Sequence, residues 1–123
     1  MKNMEIANKI ENFLWSMSNF IENALPEIGD NTAELIACGL GEIRTSMQKR
    51  HFGALILSKE LDQNLKMALL AELEIFNVID DDKKMEAGAI ILESLAQLKF
   101  PPWLLGIIEL LKGFLKIVQL CIL

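Results

Sequence analysis

The stretch from residue 102 to residue 123 restricts the possible folds more than any other part of the chain. It begins at a pair of prolines, Pro101 and Pro102, and continues with the spacing of one helix. Its clearly polar side chains fall within roughly 80° of the helix circumference. They are Glu109, Lys112, Lys116 and Gln119. The remaining circumference is apolar apart from two glycines, so the helix has to be covered by a protein core, a partner or lipid.

Burial of this helix in the protein's own bundle, or in a homo-oligomer, is the favoured interpretation. Trp103, Lys112 and Lys116 resemble the anchors of a helix that lies on a membrane surface. However, such helices usually carry a broad charged face, and the three charges inside this segment oppose a transmembrane span. The acidic remainder of the chain would also be repelled by anionic lipid. Insertion of residues 102–123 into lipid or into a partner's groove therefore stands as the alternative.

The size and charge of the chain define the class of protein. A length of 123 residues predicts a single domain over residues 1–123, with a core that needs no metal or disulfide. The net charge of −5 argues against a nucleic-acid partner, because such proteins carry a clustered basic surface. The N-terminus lacks the unbroken apolar run of a signal peptide, so we expect a cytoplasmic location.

Helical periodicity covers nearly the whole chain and predicts five helices joined by short connections. The first spans residues 4–25, the second follows Asn31, the third begins at Ala54 or at Lys59, and the fourth ends near Lys99. Residues 52–58 fit either a helix or a linker. No segment alternates with the period of a strand. The sequence therefore predicts an all-α bundle of about five helices, with the hydrophobic C-terminal helix packed centrally.

Each of the first four helices has an apolar stripe that should face the core. The stripes are Ile6, Ile10, Phe13, Leu14, Met17, Ile21 and Leu25; Ile36, Leu40, Ile43 and Met47; Leu61, Leu65, Leu69, Leu73 and Phe76; and Ile91, Leu92, Leu95 and Leu98. Ser18 is expected on the polar face of the first helix, with Glu11 and Glu22.

Two local signals mark the ends of helices. Asn31 is followed three residues later by Glu34, a spacing close to that of a capping box, which predicts Asn31 as the N-cap of the second helix. One residue of the aspartate run 80–82 should likewise cap the fourth helix.

Glycines inside two helices predict close helix crossings. Gly39 and Gly41 lie within the second helix, where each costs about 1 kcal/mol relative to alanine. A second helix that packs closely over them would compensate. Gly106 and Gly113 are seven residues apart on one face of the last helix, where they would also let two backbones approach.

No group of residues has the pattern of a catalytic, cofactor-binding or metal site. The one histidine, His51, lies in a basic helix end, and neither Cys38 nor Cys121 is placed beside it by sequence. Both cysteines lie among apolar residues, and we expect them to be buried and free rather than paired. The aspartate run 80–82 lacks the alternating ligand spacing of a calcium loop. We therefore expect a protein without enzymatic activity, metal or cofactor.

Protein–protein interaction is the remaining function class. The run from Glu72 to Asp82 contains five acids and no base, which could attract a basic partner. Trp15 and Phe20 fall beside the main stripe of the first helix, where they are either buried at its edge or exposed as anchors. The candidate interaction residues are Trp15, Phe20, Glu72, Glu74, Trp103, Lys112 and Lys116. The hypothesis is a small helical adaptor or regulator that binds a protein partner and self-associates.

Overall fold

Helices account for nearly all of the chain that the structure describes, and no strand occurs there. The computed structural model of the protein describes residues 3–50 and 63–122. Its helices are α1 (Asn3–Ala24), α2 (Asp30–Lys49), α3 (Gln63–Val78), α4 (Asp81–Ala96) and α5 (Pro102–Ile122), with a 3₁₀ turn at Leu25–Glu27. The all-α bundle predicted from the sequence is confirmed.

Two helices, α1 and α5, share the centre of the bundle. α1 packs against α2, α3 and α5, while α5 packs against α1, α2 and most extensively against α4. α3 and α4 also pack against each other. The buried side chains form one continuous hydrophobic cluster. The central position predicted for the C-terminal helix is therefore confirmed, and α1 occupies the centre with it.

The apolar stripes identified most of the core. The predicted stripes of α1 and α2 are buried, except that Leu25 is half-buried in the 3₁₀ turn. Leu98 is also only half-buried, just beyond the end of α4. The prediction for Leu65 was wrong, since this side chain is 46% exposed and burial on α3 begins at Leu69. Periodicity shows which face of a helix is apolar, but not how far along that face a neighbour extends. Leu61 lies outside the described residues.

Ser18 was wrongly expected on the polar face of α1, because it is fully buried. Its hydroxyl donates a hydrogen bond to the carbonyl oxygen of Leu14, one turn earlier, at 3.0 Å. A serine can enter a helical core because its own helix supplies an acceptor for the hydroxyl. Glu22 is exposed and Glu11 is half-buried.

The capping predictions had mixed outcomes. Gly29, not Asn31, is the N-cap of α2; its backbone is extended, and it provides no side-chain cap. Asp80 holds the N-cap position of α4, as predicted, but its side chain makes no capping hydrogen bond. α4 ends at Ala96 rather than near Lys99. The predictions for residues 51–59 lie outside the described residues.

At Gly39 of α2, a side chain of α5 packs directly against the helix backbone. A Cβ atom at Gly39 would lie 2.8 Å from Cε2 of Phe114 and closer still to Cζ, so the ring occupies the space of the missing side chain. The predicted close crossing is confirmed there. No helix of the described residues makes such a crossing at Gly41, Gly106 or Gly113, where an added Cβ would meet none of their atoms within 4 Å.

Polar contacts join the helices at the edges of the core. Arg44 of α2 donates hydrogen bonds to Glu22 and, at 3.1 Å, to Asn19, both on α1. Lys9 of α1 lies 3.4 Å from the carboxylate of Glu74 on α3. Both contacts are at the surface, where such pairs contribute little to stability. The packing of the apolar faces therefore supplies most of the stabilisation.

The two glycines of α2 provide a matched test of this packing. We expect Gly41→Ala to raise the free energy of unfolding by about 0.5–1 kcal/mol, because alanine favours the helix and the site is open. Gly39→Ala should lower it by about 1–2 kcal/mol, because the added methyl displaces the ring of Phe114. Urea denaturation of both variants gives the comparison. Equal effects of the two substitutions would contradict the close approach of Phe114 to α2.

Candidate functional site

A groove runs between the C-terminal half of α1, the first turn of α4 and the end of α5. Its volume is about 640 Å³. The residues that line it are Ser16, Asn19, Phe20, Asn23, Ala24, Glu27, Phe76, Asp81, Asp82, Lys84, Met85 and Ile122. We call this surface the acidic groove. It combines a concave shape, an apolar floor and a charged rim.

The floor of the acidic groove is a core aromatic ring. Phe76 of α3 is only 1% exposed, and its ring meets Phe13 of α1 edge to face, with centroids 4.9 Å apart. The ammonium group of Lys84 lies over the same ring, 5.2 Å from its centroid. Such a cation is attracted by the negative face of the ring. The floor is therefore held in place by the core and is covered by the ammonium of Lys84.

Carboxylates dominate the rim of the acidic groove. Glu27 follows α1, and Asp81 and Asp82 begin α4; all three are exposed. The ammonium of Lys84 lies 3.8 Å from a carboxylate oxygen of Asp81, whose side chain is 94% exposed. Three carboxylates thus face one ammonium, and most of the negative charge is open to solvent. Carboxylates in the first turn also suit the positive end of the α4 dipole, which explains their local placement.

The structure brings Phe20 and the end of the acidic run together at this groove. Phe20 is half-buried against the core and lines the groove, close to the end of the acidic run, Asp81 and Asp82. Trp15 is half-buried against the core and does not line the groove. Glu74 is on α3 and pairs with Lys9. Glu72 is half-buried, with an oxygen that is enclosed and has no hydrogen-bond partner among the described residues.

The other three candidate residues lie along α5, away from the groove. Trp103 is half-buried at the start of α5, and the guanidinium of Arg50 lies 5.3 Å from its ring centroid. Lys112 forms a 2.8 Å ion pair with Glu93 of α4. Lys116 is exposed and lines a smaller pocket between α4 and α5. The seven candidates therefore do not form one surface.

The Lys112–Glu93 pair shifts the titration of both groups. The hydrogen bond from the Lys112 ammonium, and then its charge, hold the pKa of Glu93 below its ordinary value. The same hydrogen bond to Glu93 raises the pKa of Lys112, against partial desolvation and with help from the charges of Glu109 and Glu93. The contact connects α4 to α5 while both groups are charged. Lys112 thus has a structural contact within the bundle.

The cysteines differ from the prediction of burial. Cys38 on α2 and Cys121 on α5 are both exposed and unpaired. They lie among apolar residues in sequence but on the outer faces of their helices. Within residues 3–50 and 63–122, no group of three or more histidine, cysteine or acidic side chains is arranged to hold a metal ion.

Sequence reasoning missed the residues that complete the acidic groove. Met85 and Asn23 carry no motif, and Phe76 was recognised only as a core residue. The one sequence signal for the groove was the aspartate run at the start of the fourth helix, beside the connection between two helices. The helix that packs next to this connection is determined by the tertiary structure, so no local sequence pattern identifies it.

Comparison of the chain with models of protein families, with curated proteins and with solved structures found no match. Among the helices in the described part of the chain, none is both long enough and apolar enough to cross a bilayer.

The dependence of the free energy of unfolding on pH, below neutrality, tests the Lys112–Glu93 contact. A carboxylate whose pKa is lowered by folding adds stability above its unfolded-state pKa, and this stability is lost as the pH falls through the folded-state value. We therefore expect Glu93→Gln to destabilise the protein at neutral pH and to have a shrinking effect as the pH approaches about 3. Urea denaturation across this range, with Glu86→Gln on the exposed face of α4 as control, measures the difference. A pH-independent effect of Glu93→Gln would contradict the ion pair.

Proposed function

We propose that this protein is a non-enzymatic interaction module, a small adaptor or regulator that binds a basic amphipathic segment of a protein partner in the acidic groove. The proposal is supported chiefly by one observation, the combination of an apolar floor with a rim of exposed carboxylates. A helix with apolar residues on one face and lysine or arginine on its flanks matches both parts. Such a helix docks into a groove through its apolar anchors.

The position of Lys84 supports a cationic ligand. Its ammonium already lies over the Phe76 ring and near Asp81, so the groove contains the environment that a lysine or arginine side chain favours. A partner's cation could reach Asp82 and Glu27, for which no ion pair is formed among the described residues. Complementary charge of this kind mainly speeds association and selects the partner. Because the floor itself is already buried, the half-buried Phe20 and Met85 and the exposed Ile122 would supply the apolar contacts with the partner.

The polar wall of α1 gives the groove its other side. Ser16, Asn19 and Asn23 are spaced three and four residues apart on one face of the helix. Asn19 also accepts the hydrogen bond from Arg44, which orients its side chain. A bound segment would therefore meet carboxylates along α4 and neutral polar groups along α1.

A synthetic helical peptide of leucine and lysine tests the charge of the groove. Asp82→Lys should weaken binding about three- to tenfold relative to the unchanged chain, because it replaces attraction by repulsion. Glu86→Lys, on the same helix outside the groove, changes the net charge equally and should have a smaller effect. Fluorescence anisotropy with the labelled peptide gives both affinities. If the two variants weaken binding equally, only the net charge matters and the proposed site is wrong.

A steric variant tests the location independently of charge. Asn23 is exposed on the wall of the groove, so Asn23→Trp should fill the groove and weaken peptide binding at least about tenfold without unfolding α1. Asn8→Trp, exposed on the same helix away from the groove, is the control. Circular dichroism checks that both variants remain helical. Peptide binding that survives Asn23→Trp would contradict docking in the groove.

A further inference from the structure

The outer face of α5 is a second unpartnered surface, distinct from the acidic groove. Within roughly 80° of the helix circumference it presents Gly106, Leu110, Gly113, Ile117 and Leu120. Leu110 is 45% exposed and Leu120 is 77% exposed. The opposite side of the same helix supplies Leu104, Ile108, Leu111, Leu115 and Val118 to the core. α5 is therefore apolar toward the core and apolar toward solvent.

The two glycines are not explained by packing within the described chain. Each costs about 1 kcal/mol in a helix interior. At Gly39 the ring of Phe114 fills the space of the absent side chain, but at Gly106 and Gly113 no described atom lies within 4 Å of an added Cβ. A shallow depression thus lies at each glycine, on a face that also carries exposed leucines. That shape suits another helix that approaches closely.

We infer that this face pairs with the same face of a second copy, with the two α5 helices antiparallel and crossing at Gly113. The inference rests on the proposed role as an interaction module and names one surface by which the protein would self-associate. A two-fold axis at Gly113 brings the two Gly113 backbones together. It also places Leu120 of each copy opposite Gly106 of the other, since both residues are seven positions from the centre. A protruding leucine thus meets a depression at both ends.

The charges beside this face favour the antiparallel arrangement. Glu109 and Lys116 lie on the same flank of the stripe and are both exposed. In an antiparallel pair the same flanks of the two helices meet, so Glu109 of one copy lies within about 1.5 Å of the height of Lys116 of the other. Symmetry repeats this contact. In a parallel pair each flank would meet the opposite flank, and the two charges would not face each other.

A second copy fits this surface better than lipid does. In the antiparallel pair, each protruding leucine lies opposite a glycine of the other copy, and each acidic side chain lies opposite a basic one. Binding to a bilayer requires neither of these matches. The net charge of −5 also opposes binding to anionic membranes. One helix per copy makes a smaller interface than the roughly 800 Å² per partner of stable complexes, so we expect a monomer–dimer equilibrium over micromolar concentrations.

An exchange of the charges of Glu109 and Lys116 in the full-length chain tests the pairing of two α5 helices. Lys116→Glu should raise the dimer dissociation constant about tenfold, because it creates two repulsive contacts with Glu109 of the other copy. The double variant Glu109→Lys with Lys116→Glu should return the constant to within about threefold of the original. Lys83→Glu, exposed on α4, is the control for net charge. Sedimentation equilibrium measures all four proteins. A double variant no better than Lys116→Glu would overturn the inference, as would equal effects of Lys116→Glu and Lys83→Glu.

The exposed thiol of Cys121 reports the direction of the helices. It lies eight residues beyond Gly113, so an antiparallel pair separates the two thiols by about 24 Å along the helix axes. In a Cys38→Ser background, spin labels on Cys121 should give distances of about 25–35 Å, and no disulfide dimer should form on oxidation. Rapid disulfide formation through Cys121, or a short distance between labels, would indicate parallel helices and overturn the arrangement.

Two further results separate this inference from the proposed function. Lys116→Glu lies outside the acidic groove and adds negative charge, so it should not weaken binding of the leucine–lysine peptide. If that peptide binds but the chain remains monomeric at high concentration, the pairing fails and the proposed function stands. If the monomeric chain instead binds phosphatidylcholine vesicles, and Leu110→Ser with Leu120→Ser removes that binding, the face is a lipid surface and the inference is overturned.

Discussion

The contact between α1 and α5 is the interaction on which the rest of the bundle depends. α2 packs against both helices, α3 packs against α1 and α4, and α4 packs most extensively against α5. The cysteines within the described residues are unpaired, so no disulfide there supports this arrangement. Burial of the apolar stripes of the two central helices therefore provides the main driving force. The surface ion pairs join helices that are already packed.

The acidic groove depends on the same packing. Phe76 is a core residue that packs edge to face with Phe13, and the ammonium of Lys84 lies over its ring. One ring thus connects the hydrophobic cluster to the charged rim. A change that shifts α3 relative to α1 would alter the groove and the core together.

α5 has an unusual position because one helix uses two apolar faces. Its inner face is satisfied by α1, α2 and α4, while its outer face has exposed leucines beside two open glycines. Gly39 shows what a glycine does where a neighbour is present, since the ring of Phe114 fills its space. The contrast between Gly39 on one side, and Gly106 and Gly113 on the other, is the physical reason to look for a second molecule at α5.

For residues 3–50 and 63–122, the sequence by itself determined the helices and most of the faces that turn inward. Apolar residues that recur every three or four positions lie on one face of a helix. The hydrophobic effect favours burial of that face, whichever helix covers it. The same pattern could not show that Leu65 is exposed, that Ser18 is buried or that both cysteines point outward. It also could not show that Phe20 meets Asp81 and Asp82 at one groove. These features depend on which helix lies beside which, and for how many turns. That choice is made by the fit of whole surfaces in three dimensions, so only the tertiary structure decided them.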